Sequence, residues 1–249
     1  MIDYNEPIKV AEGVYWVGFY DEKANFHCNP YLLIDGSEAI LIDPGSIPHF
    51  PVVARKVFSL VKPKQITKII LHHQDPDLCA SVPIFEDLIA RSDMKIVLHP
   101  RAGFLVWHYG VKSEFINIDE KQTIEFGDGR KLKFVNAPYL HTPGVFMPYD
   151  EKTKTLFSSD LFGAFSKPDW SLYANVDAYL EEMAAFHAPY MPSKEILAHT
   201  MSKLEKMDID MICSQHGSII SGKENVKKAI TFLKNLDCGD YLKDENLTI

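Results

Sequence analysis

The sequence has no C-x-x-C pair: its four cysteines, Cys28, Cys79, Cys213 and Cys238, stand far apart. That spacing excludes a zinc ribbon and offers no disulfide framework, so buried free thiols are expected. Basic charge is also scarce, with 26 Lys and Arg against 34 Asp and Glu and a formal net charge of −8. A nucleic-acid groove or an anionic-membrane surface needs clustered positive charge, and neither is expected here. No apolar run approaches the length of a bilayer span, and the N-terminal MIDYNEPIKVAEGVYW lacks a basic stretch followed by an apolar one. The expectation is a cytoplasmic protein whose partners are small ligands or other proteins. Hydrophobic residues, by contrast, make up 46% of the 249. That suffices for a large core in one unit spanning 1–249.

Apolar runs with turn signals between them predict strands at VYWVGF (14–19), PYLLID (30–35), AILID (39–43) and the β-branched ITKIIL (66–71). Helices are expected over 49–61 and near 79–91, the latter with Phe85, Leu88 and Ile89 on one face, and KIVLHP then reads as a strand. After a boundary near 112–120 the theme repeats. TIEF, KLKFVNAP, TKTLFSSD and IDMICSQH read as strands, and 176–206 is helix-rich. Within it, a helix over 193–206 has Ser193 as N-cap and Ile196, Leu197, Thr200, Met201 and Leu204 at helical spacing. Strands on both sides of a middle boundary, with helices to cover each half, predict an α/β four-layer sandwich of αββα type.

Chemistry concentrates where the strands end. His72-His73-Gln74-Asp75-Pro76-Asp77 follows IIL, His141 follows FVNAPYL, Asp160 follows TLFSS and His216 follows MICSQ. Stiff strands that deliver imidazoles and carboxylates to one edge are a common way to build a metal site. Alternate residues of an extended H-x-D-x-D loop face one way, which would turn His73, Asp75 and Asp77 into one cavity. Three imidazoles and three carboxylates without a thiolate suit iron, manganese or zinc. Two divalent ions with one bridging hydroxide would balance the three carboxylates, and a carboxylate-rich shell also tolerates oxidation to the trivalent state.

HQDPD followed by LCAS, then YLHTPG, SSDLFGAF and CSQHGSI, resembles the metallo-β-lactamase domain of flavodiiron proteins, whose pattern is H-x-E-x-D-H, then H, D and H. NPYLLIDGSEAILID and MPSKEILAHTMSKLEKMDIDMI are similar too, so the resemblance spans nearly the whole chain. It implies that His73, Asp75 and His141 bind a first iron, Asp160 bridges, and Asp77 and His216 bind a second. Asp75 stands where the family has glutamate, and Leu78 where it has a further histidine. The second metal should then lack one protein ligand and keep an open position. The chain also ends at Ile249 without the flavodoxin-like domain that binds flavin in the family.

The resemblance thus implies two iron ions that bind dioxygen or nitric oxide, in an oxygen sensor or signalling protein, similar to stand-alone diiron proteins coupled to chemotaxis. A reductase of oxygen or nitric oxide fed by a separate flavodoxin or rubredoxin is the alternative. A metal-dependent hydrolase is a third, set against Asp75 and Leu78, which remove two imidazoles from the hydrolase pattern. Family members of this kind are often dimers.

Other residues carry lesser expectations. His72 points away from His73 and belongs to the core or behind a ligand. Asp43 is expected to orient a ligand imidazole. Phe186, His187 or Tyr190 are candidates to line the gas pocket, with plain core as the equal alternative. His27, His99 and His108 read as structural histidines, and Cys79 and Cys213 as buried small residues. Phe146, Phe162, Phe165 and Trp170 read chiefly as core, and Gly144 and Gly217 as turns that let backbone approach the metals.

Overall fold

The computed structural model describes residues 2–21, 23 and 25–239; Met1 and 240–249, the ends of the unit expected over 1–249, lie outside the described residues. The first half runs β1 (Ile8–Ala11), β2 (Val14–Trp16), β3 (Phe19–Asp21), β4 (Phe26–Cys28), β5 (Tyr31–Asp35), β6 (Glu38–Ile42), α1 (Phe50–Leu60), β7 (Ile66–Ile70), α2 (Pro76–Cys79), α3 (Val82–Ile89), β8 (Lys95–Leu98), α4 (Pro100–Val106) and β9 (Glu114–Asn117). The second runs β10 (Thr123–Phe126), β11 (Arg130–Asn136), β12 (Phe146–Asp150), β13 (Thr155–Phe157), α5 (Val176–Tyr190), α6 (Lys194–Leu204), β14 (Met211–Cys213), β15 (Ile220–Ser221) and α7 (Lys223–Asn235).

Seven strands form one sheet in the order β1-β2-β5-β6-β7-β8-β9, six form a second in the order β10 to β15, and β3-β4 is a separate ribbon. The apolar runs of β6, β7 and β8 pair in parallel at the centre of the first sheet. Such strands are covered on both faces, which is why their sequences do not alternate. β11, antiparallel to both neighbours, does alternate buried and exposed residues over its first four positions.

Three core clusters define the layers. Val53, Val57, Phe85 and Ile89 of α1 and α3 pack on Leu32, Leu41, Ile69 and Ile96. Between the sheets, Trp16, Leu33, Ile42 and Val97 meet Ile124, Leu132, Phe146 and Phe157. Beneath α5, α6 and α7, Met183, Leu197, Met201 and Ile230 cover Met147, Leu156 and Ile212. Helix, sheet, sheet, helix is the αββα sandwich that the sequence predicts.

Ser193 caps α6 as expected, its Oγ accepting from Ile196 N at 3.4 Å. Other elements differ in detail. VYWVGF is divided between β2 and β3, and β12 is an additional strand across Pro148. Leu88 is 47% exposed and does not share the buried face of Phe85 and Ile89. Among the described residues, no helix is long and apolar enough to cross a membrane.

Candidate metal centre

His73, Asp160 and His216 each stand three residues beyond the end of a strand, after β7, β13 and β14 respectively. β13 and β14 are parallel, so their loops emerge at one edge. His141 joins from the loop between β11 and β12. The loop after β7 is not extended throughout. Asp75 is the N-cap of α2 and Asp77 lies in its first turn. Both carboxylates line one cavity, as expected, but each meets a different histidine group.

Asp75 Oδ2 lies 3.4 Å from both His73 Nε2 and His141 Nε2. Asp77 Oδ2 lies 3.3 Å from His216 Nε2. Asp160 reaches both groups: Oδ2 is 3.0 Å from His141 Nε2 and 3.7 Å from His73 Nε2, and Oδ1 is 3.7 Å from His216 Nε2. The six residues named from the sequence therefore meet in two clusters with one buried carboxylate between them.

The electrostatics follow from that crowding. Burial opposes the imidazolium of His141, but Asp160 and Asp75 outweigh it and lift its pKa to about 9. His73 and His216 are likewise raised against burial by their carboxylate partners. Asp75 and Asp160 are pulled well below the usual carboxylate range, again against burial, by the same imidazoles. Nε2 of His73 and His141 and Oδ1 of Asp160 are buried without an aligned hydrogen bond. Buried donor atoms that converge yet leave each other unsatisfied are what a cation would complete. His73, Asp75 and His141 form one group with metal-binding geometry, and Cys28, Asp77 and His216 form another.

Cys28 is not among the six residues named from the sequence. It lies in the β3-β4 ribbon, 45 residues before His73, with nothing local to mark it. Burial pushes its thiol up. Ser159 was also missed. Its backbone is left-handed (φ 56°), and its Oγ lies 3.1 Å from His73 Nδ1. His27 carbonyl oxygen does the equivalent for His216, 3.1 Å from its Nδ1. These contacts fix which ring nitrogen of each histidine faces the centre.

Asp43 does not orient a ligand imidazole. Its carboxylate accepts from His72, by backbone N–H at 3.0 Å and by Nδ1, and also from the Gln215 amide at 3.3 Å. It thereby holds the residues just before His73 and His216. His72 is buried as expected, its Nε2 3.1 Å from Phe157 O on the opposite sheet. His187 is buried core: Phe162 N donates to its Nε2, and burial lowers its pKa to about 4. Leu78 is fully buried with the cluster under α1 and α3. Gly217 does not make room for a metal, because an added Cβ would meet Tyr179 Oη at 2.2 Å, and Gly144 packs on Ala102 of α4. Of the other histidines, His27 stacks on Trp170 and His99 caps α4, whereas His108 is exposed rather than structural.

A cavity of about 340 Å³ opens onto the centre, with Cys28, Asp75, Asp77, Asp160 and His216 at its base. Phe26, Phe165, Phe186 and Tyr190 supply its apolar wall. Tyr190 packs on His141 with ring centroids 4.3 Å apart, and Phe26 on His216 at 4.7 Å. Phe146 and Phe162 are core, whereas Phe165 is 45% exposed at this rim.

The model of the family described as ODP family beta lactamase matches residues 26–217. An uncharacterised protein of Methanocaldococcus jannaschii is 28% identical, over 85% of this chain and 56% of its own length. A nitric oxide reductase of Moorella thermoacetica is 24% identical, over 86% of this chain and 58% of its own. The chain thus spans just over half the length of these two curated relatives. A solved structure described as a peroxy diiron species of chemotaxis sensor ODP superposes with a TM-score of 0.81, at 23% identity, over 96% of this chain and 99% of that one. The apo state of chemotaxis sensor ODP from T. denticola gives the same TM-score at 24% identity, over 96% of this chain and 97% of that one. The architecture is that of the metallo-β-lactamase fold.

Proposed function

The chain belongs to the ODP family beta lactamase group, and from that premise we propose that it is a diiron protein that binds dioxygen and reports it to a protein partner. The observation that carries this reading is the Asp160 carboxylate, with one oxygen turned to His73 and His141 and the other to His216. His73, Asp75 and His141 would hold one iron, Asp77 and His216 the other, and Asp160 both. When bound, two ferrous ions supply electrons to a diatomic gas. The chain's own residues do the rest. The aromatic wall gives the cavity an apolar flank, Ser159 and His27 hold the imidazoles in orientation, and Asp43 ties together the loops that carry His73 and His216. Cys28, Cys79 and Cys213 are buried free thiols, which suits a reducing cytoplasm.

A second reading, reduction of oxygen or nitric oxide with electrons from a separate carrier, draws support from the likeness to the nitric oxide reductase. Anaerobic metal analysis followed by admission of oxygen distinguishes them. Two irons per chain and a visible absorption band that persists are expected of the sensor. Steady oxygen consumption with reduced flavodoxin or rubredoxin would assign the reductase, and two zincs with lactam or thioester hydrolysis would refute both.

A further inference from the structure

We propose that the thiolate of Cys28 is a protein ligand of the second metal position, where it joins Asp77, His216 and the shared Asp160. This rests on the two-ion reading above. Cys28 Sγ, an Asp77 carboxylate oxygen and a ring nitrogen of His216 all lie within 4.8 Å of one another. Sγ lies 3.9 Å from His216 Nδ1, the nitrogen that also faces His27 O, so the thiol stands beside the ring whose Nε2 meets Asp77 and Asp160.

The backbone places the thiol there independently of the side-chain geometry. Cys28 and His216 face each other in an isolated antiparallel bridge, and Asn29 N donates to Gln215 O at 2.8 Å. Residues directly opposite in such a pair project to the same face. The register that orients His216 therefore orients Cys28 beside it. Both line the same cavity, as does Asp160, whose Oδ1 is buried without a hydrogen bond.

Charge agrees with this assignment. Three carboxylates and one thiolate match two divalent ions, where three carboxylates alone need an added hydroxide. Sequence pattern hides the ligand, because the residue after Asp77 is Leu78, fully buried in core and not a donor. The missing donor comes from a ribbon that precedes the motif. A centre with nitrogen and oxygen donors in one half and a sulfur donor in the other binds its two ions unequally.

The test uses cobalt(II) added anaerobically to the metal-free full chain, because a thiolate bound to cobalt gives an intense near-ultraviolet charge-transfer band. Wild type is expected to bind two cobalt ions and show the band. Cys28→Ser should lose the band and bind the second ion more weakly by about tenfold or more, with the first unchanged. Cys79→Ser, which alters another buried thiol, should keep both. X-ray absorption on the wild-type protein should find a sulfur scatterer, whatever the folding of the variants. Two bound cobalt ions without the band, or a band that survives in Cys28→Ser, would overturn the assignment and leave the two-ion centre standing. Fewer than two cobalt ions would overturn both.

Discussion

Metal uptake should depend steeply on pH, because each ion must displace protons that the metal-free centre holds tightly. The imidazole of His141 has its pKa lifted to about 9 by Asp160 and Asp75. At about pH 7 only about one molecule in a hundred then presents a free Nε2, and each lower pH unit costs about another factor of ten in apparent affinity. Displacement of that one proton makes binding about a hundredfold tighter at about pH 8 than at about pH 6. His73 is raised in the same cluster and His216 in the other, so a slope of about one decade per pH unit is the lower bound and about two decades is expected where both His73 and His141 release protons. The sign is fixed: affinity rises with pH, and the His141 contribution levels off above about 9. Competition with a chromophoric chelator, corrected for its own protonation, measures the slope, and calorimetry in buffers of different ionisation enthalpy counts the protons released. A flat profile between about pH 6 and about pH 8 would refute the argument, because it would mean that the imidazoles are already neutral and the carboxylates do not hold them charged.

The same shifts set the stability of the metal-free protein. For His141 the folded pKa lies above the unfolded one, so its contribution is fully present below about 6.5 and lost as pH rises through about 9, on the order of 3 kcal/mol in all. The lowered pKa values of Asp75 and Asp160 contribute stability above about 3.9 that is lost in acid. Denaturant titration of metal-free protein should therefore show a maximum between those limits, one that metal loading abolishes on the alkaline side. Asp160→Asn should weaken both ion positions, read as a stoichiometry below two per chain, whereas loss confined to one position would contradict a shared carboxylate. Leu78→Ala should cost about 2–5 kcal/mol of stability with metal stoichiometry unchanged, because its side chain belongs to the core; a changed stoichiometry would place it in the site.

Much of this was legible in the residues. Strands covered on both faces leave unbroken apolar runs, so β6, β7 and β8 could be read directly, and with them the loops that carry His73 and its partners. β12 was missed because Pro148 argues against a strand. It is tolerated where pairing with β13 covers only Tyr149 and Asp150. The turn of α2 was missed because the H-x-D-x-D loop reads as extended throughout, whereas Pro76 begins a helix well. Asp43 was expected to orient a ligand imidazole, and only tertiary structure reveals that it grips His72 and Gln215 instead. Cys28 was invisible for the plainest reason: its nearness to His216 is a product of strand register between segments 188 residues apart.

Each cluster draws on both halves of the sandwich. His73 and Asp75 come from the first sheet's loops and His141 from the second's, and Asp77 likewise faces His216. An ion bound in either proposed position would thus be a rivet through the seam. It cannot leave until one side lets go, so ion exchange will be slow, and any ligand that alters the grip on the ions pulls on two sheets at once. Chemistry at a few atoms becomes leverage across the whole molecule, which is what a partner on the outer surface would need in order to feel it.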